Sequence, residues 1–100
     1  MDNKDTFINE KTKEKAYKEL MLELQTNLKN KIEEIEKMEI KYSKDYFLCE
    51  SYVNNHDKYN THKVLLKELI IKIEKERKYK QELEETINLI INKFGNQYGN

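Results

Sequence analysis

An all-α fold, two long helices forming an antiparallel coiled-coil hairpin with a polar turn near residues 54–60, is predicted by three features of this chain. The composition is that of long helices: 37% apolar and 38% charged residues, no proline, no tryptophan and two glycines in 100 residues. Apolar residues recur in alternating steps of three and four, as a heptad seam requires. Finally, the phase of that seam slips once, within the most asparagine-rich window of the chain.

The elements follow in order. Residues 1–10 carry little hydrophobic periodicity and are expected to be frayed, with Asp5 or Thr6 available to cap a helix start. From Tyr17 a stripe runs through Met21, Leu24, Leu28, Ile35, Met38, Tyr42, Cys49 and Tyr52, with Lys31 and Asp45 as polar interruptions. Leu20 and Ile32 widen it beyond a strict two-stranded seam. A second stripe begins at Tyr59 and continues through Leu66, Leu69, Ile73, Leu83, Ile87, Ile90 and Phe94, weakened at Glu76 and Lys80. The first register, extended, makes Tyr59 a d position, whereas the second stripe makes it an a position.

That slip falls on Val53 to Asn60, where Asn and Asp side chains can bond their own backbone and favour a turn over a helix interior. A break at 54–60 follows, with Asn60 or Thr61 capping the second helix. One continuous helix carrying a stammer is the alternative. The coiled-coil hairpin then spans 11–94, Gly95 stands where a C′ glycine ends a helix, and 95–100 form a flexible tail. Folding back buries one seam on the other and leaves the flank of Leu65, Ile70, Ile71, Leu89 and Ile91 partly uncovered, as a partner site would be. The residues expected to carry assembly by packing are Leu24, Leu28, Ile35, Leu66, Leu69, Ile70, Ile73, Leu83, Ile87 and Ile90.

Several functions are disfavoured by the same residues. The nineteen acidic and nineteen basic side chains cancel, so no overall field draws the chain to nucleic acid or an anionic membrane. The basic run Lys72, Lys75, Arg77, Lys78 and Lys80 is interleaved with Glu74 and Glu76. Glu33 to Lys37, Glu68 to Lys72, Glu74 to Lys78 and Glu76 to Lys80 have the i,i+4 spacing of a solvated face. Apolar runs of three residues, such as Leu69-Ile70-Ile71, fall far short of the roughly 20 that span a bilayer. The first residues lack the apolar core of a secretory signal, and the single cysteine permits no internal disulfide, so a nuclear or cytoplasmic protein is expected.

Chemistry has few candidates. Cys49, His56, Asp57 and His62 match no zinc-ligand spacing, and Cys49 lies on the seam, where a small buried residue is ordinary. His56 and His62 are expected to be exposed. Without a glycine-rich loop there is no phosphate cradle. No catalytic residue, metal or other cofactor is assigned.

The stretch Lys44-Asp45-Tyr46-Phe47-Leu48-Cys49-Glu50-Ser51-Tyr52-Val53, the polar Asn54-Asn55-His56-Asp57-Lys58, and then Thr61 with Val64-Leu65-Leu66-Lys67-Glu68-Leu69 resembles the family of THO complex subunit 7. Members carry an acidic residue and a tyrosine before a short apolar helix end, a polar turn with a basic residue, and a threonine opening a second coiled helix. Asp45 and Tyr46, Lys58 and Thr61 stand at those places. The family's small-residue stretch is Phe47-Leu48-Cys49-Glu50 in this chain, and its turn proline is absent. The resemblance implies a non-enzymatic scaffold subunit of the nuclear THO assembly, acting in mRNA processing and export and pairing lengthwise with another coiled-coil subunit, THO subunit 5. Two other functions fit the residues: a coiled-coil adaptor of a cytoskeletal, kinetochore or trafficking complex, and an RNA-binding helical protein. Coiled-coil protein subunits, or further copies of the chain in isolation, are the expected partners; direct nucleic acid, membrane and small molecules are not.

Overall fold

The computed structural model describes residues 7–99. The chain is all-α: helix α1 spans Glu10–Ser51 and helix α2 spans His56–Tyr98, joined as a helical hairpin. Among the described residues there is no strand. Two compact units divide it. One combines α1 up to Leu28 with α2 from Glu82; the other is the continuous stretch Lys29–Gln81, which contains the turn.

α1 begins on a side-chain cap. Asn9 Oδ1 accepts from the Lys11 amide at 2.7 Å, satisfying one of the four amides that a helix start leaves without a partner. Asp5 and Thr6, the caps expected from sequence, lie outside the described residues. The inward residues of α1 are those of the predicted stripe, each buried or half-buried from Tyr17 to Tyr52, Lys31 and Asp45 included.

The break is shorter and earlier than the predicted 54–60. α1 tightens at its end, with the Tyr52 amide on the Cys49 carbonyl at 3.0 Å and the Val53 amide on that of Glu50 at 3.3 Å, the i to i−3 pattern of a closing turn. The Asn55 amide then bonds the Tyr52 carbonyl at 2.8 Å. Asn55, not Asn60 or Thr61, caps α2: its Oδ1 accepts from the Lys58 amide at 3.2 Å and its carbonyl from the Tyr59 amide at 2.9 Å. With no Gly or Pro between 56 and 61, nothing prevents the helix from starting at the first available cap. Thr61 already lies inside α2, its hydroxyl donating to the Asp57 carbonyl at 2.9 Å.

α2 also outruns its predicted end. Gly95 is helical and buried, and the helix continues to Tyr98. An internal glycine costs only about 1 kcal/mol, and the extra turn lets Tyr98 pack on Tyr17 with ring centroids 5.6 Å apart. Gly99, at φ +79°, is the left-handed residue that ends the helix.

In the unit built from the chain ends, Tyr17, Met21 and Ile87 form the core, with Leu24, Leu28, Leu83, Ile90, Ile91 and Tyr98 against them. In the Lys29–Gln81 unit, Ile35, Cys49, Leu66, Leu69 and Ile73 are buried, and Cys49 is wholly inaccessible.

Candidate interaction surface

The seam residues expected to carry assembly are drawn into the hairpin itself. Ile35, Leu66, Leu69, Ile73 and Ile87 are buried, and Leu24, Leu28, Leu83 and Ile90 are half-buried. Their packing closes one helix on the other. Of the ten, Ile70 alone remains exposed, at 40%. Phe94, predicted as the last seam residue, turns outward, and Gly95 and Tyr98 take the inward places. A straight helix drifts by about 20° per heptad against a 3.5-residue repeat, enough to move the seam by one position over α2.

One polar interruption of each stripe meets the other across the seam. Lys31 on α1 donates to Glu76 on α2 at 2.6 Å and to Glu34 at 3.0 Å, and its ammonium lies 4.9 Å from the Tyr79 ring centroid. The hydrogen bonds that Lys31 donates to Glu76 and, next in weight, to Glu34 hold it above the ordinary lysine value of 10.5. Outside the seam in the same unit, Arg77 pairs with Glu39, so the basic run on α2 is partly neutralised by the opposite helix. Half-burying a charge without its partner costs free energy, so Lys31 and Glu76 each disfavour a register that separates them.

The turn end holds Cys49, His56 and His62, candidates for chemistry. Cys49 Sγ points at the Tyr59 carbonyl, 3.6 Å away. His56 is exposed and its ring nitrogen lies 3.1 Å from Asn60 Nδ2. His62, expected to be exposed, is half-buried and stacked on Tyr52 at 5.3 Å, with Nδ1 buried and without a hydrogen-bond partner. The stripe register places it inward, at the d position between Tyr59 and Leu66. Among the described residues, no three or more His, Cys, Asp or Glu gather to hold a metal, and no helix is long and apolar enough to cross a membrane.

What the Lys29–Gln81 unit leaves open is apolar surface and a groove. Phe47 is 70% and Ile71 67% exposed, with Tyr46, Leu48, Val64 and Leu65 also on the surface. Of these, Tyr46, Phe47, Leu48 and Val64 were not singled out as surface from sequence. Within the unbroken run Tyr46-Phe47-Leu48-Cys49, the heptad places Cys49 inward, as the structure has it, and leaves its three apolar neighbours outward by default. Along one flank two adjoining hollows, of about 280 and 240 Å³, share Tyr42 and Ile70 and so form one groove.

Fold and surface together define a two-helix coiled-coil hairpin with a partly open apolar flank. No known protein family, characterised protein or solved structure matches the chain.

Proposed function

We propose that this chain is a non-enzymatic coiled-coil subunit of a multiprotein assembly, holding partners by its helix flanks. The observation that carries this is the division of its apolar residues. The seam is used up in closing the hairpin, while large side chains such as Phe47, Ile71 and Leu89 stay more than two-thirds exposed. Apolar surface of this extent, left over once a coiled coil has formed, supports a partner-binding role.

For the particular assembly, the residues around the turn favour the nuclear THO complex and a role in mRNA processing and export. Asp45 and Tyr46 precede the turn, and Lys58 stands just past it with its ammonium 5.0 Å from the Tyr52 ring centroid. Thr61 does not support the likeness, because α2 opens at His56. Affinity purification of the tagged full chain, followed by mass spectrometry, tests this. Recovery of THO subunits, THO subunit 5 first among them, is the expected result. Recovery of tubulin-associated or vesicle proteins instead makes the chain an adaptor elsewhere. Filter binding to RNA that falls steeply with salt would point to direct RNA contact.

A further inference from the structure

We infer that the groove along the Lys29–Gln81 unit is a homodimer interface, closed by a second copy whose turn lies at the same end. This rests on the coiled-coil-subunit reading and names one of its contacts. The walls of the groove carry opposite charge. α1 contributes Glu39 and Glu50, whereas α2 contributes Lys63, Lys67 and Arg77 with the single carboxylate of Glu74. Tyr42 and Ile70 form the apolar floor of both hollows.

The two walls are matched in height: Glu39 pairs with Arg77, and Glu50 and Lys63 line the same hollow. A two-fold axis parallel to the groove preserves height and exchanges left for right. It therefore sets the acidic wall of each copy over the basic wall of the other, Glu39 facing Arg77 and Glu50 facing Lys63 and Lys67, twice over by symmetry. An axis across the groove would set acid over acid and base over base. The opposite flank lacks this division, because helical spacing puts the exposed Lys37, Lys41 and Lys44 of α1 there against Lys72 and Glu68 of α2, which offers no acidic wall to face a basic one. The resulting four-helix arrangement would cover Tyr46 and Ile70 and complete the seam's open side.

Sedimentation equilibrium on the full chain and two charge-reversed variants tests this. Wild type is expected to be a dimer. Glu39→Lys with Glu50→Lys makes both walls basic, and Lys63→Glu with Arg77→Glu makes both acidic, so each variant alone should be monomeric while keeping its helical circular dichroism. Mixed in equal amounts, the two should dimerise again, which a variant that merely failed to fold could not do. Orientation is read from spin labels on Asn54→Cys in a Cys49→Ala background: labels within about 30 Å support the inferred dimer, whereas a reversed dimer centred on Ile70 puts them about 50 Å apart at 1.5 Å per residue. A monomeric wild type, a larger oligomer, variants that dimerise unmixed, a mixture that stays monomeric, or the longer distance overturns the inference. A monomer that still co-purifies with coiled-coil subunits defeats the homodimer and leaves the function proposed above intact.

Discussion

In the unit formed by the chain ends, Tyr17, Met21 and Ile87 meet with Leu24, Leu28, Leu83 and Ile90 around them, and the stripe positions from Tyr17 to Leu28 and from Leu83 to Ile90 are all apolar or aromatic. In the Lys29–Gln81 unit, by contrast, the seam between Ile35 and Ile73 admits Lys31 and Glu76, and a second pair, Arg77 with Glu39, ties the helices on the flank. An apolar seam favours burial but is indifferent to sliding by a heptad, since one leucine suits another's place. A paired charge on the seam adds little to stability and fixes alignment. The contrast teaches that one unit is closed chiefly by burial, while the other also sets which residues face each other.

The largest effects should come from the buried isoleucines. Ile73→Ala in the turn unit and Ile87→Ala in the other each remove a side chain that is 6% exposed, at a cost of about 2–5 kcal/mol. Thermal melts give the size, and hydrogen exchange gives the place. Ile87→Ala is expected to lower protection from Glu82 onward more than within Lys29–Gln81, as separate cooperative units open separately. Equal loss everywhere would erase the distinction between the two.

Next come the seam charges. Glu76→Ala leaves Lys31 in place with its principal partner gone and should lower Tm, whereas Lys31→Leu with Glu76→Leu should preserve or raise it while loosening alignment, seen as mixed spin-label distances across the seam. The pair also has a pH dependence with a definite sign. Lys31 is held above its ordinary value by Glu76, so its contribution is present in full below pH 10.5 and is lost as pH rises through the folded value. The Tm difference between wild type and Lys31→Met should therefore be constant through neutral pH and shrink in alkali.

The smallest effect expected is a gain. The Tyr17 hydroxyl is buried without a hydrogen-bond partner, so Tyr17→Phe removes an unsatisfied polar group and keeps the ring packed on Tyr98. Stability should stay level or rise by up to about 1 kcal/mol. A fall would show that the hydroxyl has a partner after all.

Much of this architecture is legible in the residues. The α1 stripe from Tyr17 to Tyr52 is the set that turns inward, and the α2 stripe holds from Tyr59 to Ile90, because burial and spacing are both local properties of a helix. The phase slip locates the turn but not its edges. Asn55 and Asn60 are equally good caps in isolation, and the structure uses the first one it reaches. The end of α2 was hidden because Gly95 reads as a stop, while the contact that carries the helix past it, Tyr98 on Tyr17, joins opposite ends of the chain. The pairing of Lys31 with Glu76 was within reach, since the two stand at nearly equal distances from the turn and each interrupts its own stripe. The interaction surface was the least legible. The stripes name what is buried, and only the flank residues Leu65, Ile70, Ile71 and Leu89 pointed to what is left over.

The hairpin itself is tested most directly by one distance. Spin labels on Lys37→Cys and Lys75→Cys, both exposed in the Lys29–Gln81 unit, in a Cys49→Ala background diluted with unlabelled chain, report whether the helices fold back at residues 52–55. A distance of about 20 Å is expected for neighbouring antiparallel helices. A distance near 57 Å, the span of an unbroken helix at about 1.5 Å per residue, would contradict the hairpin and the surface built on it.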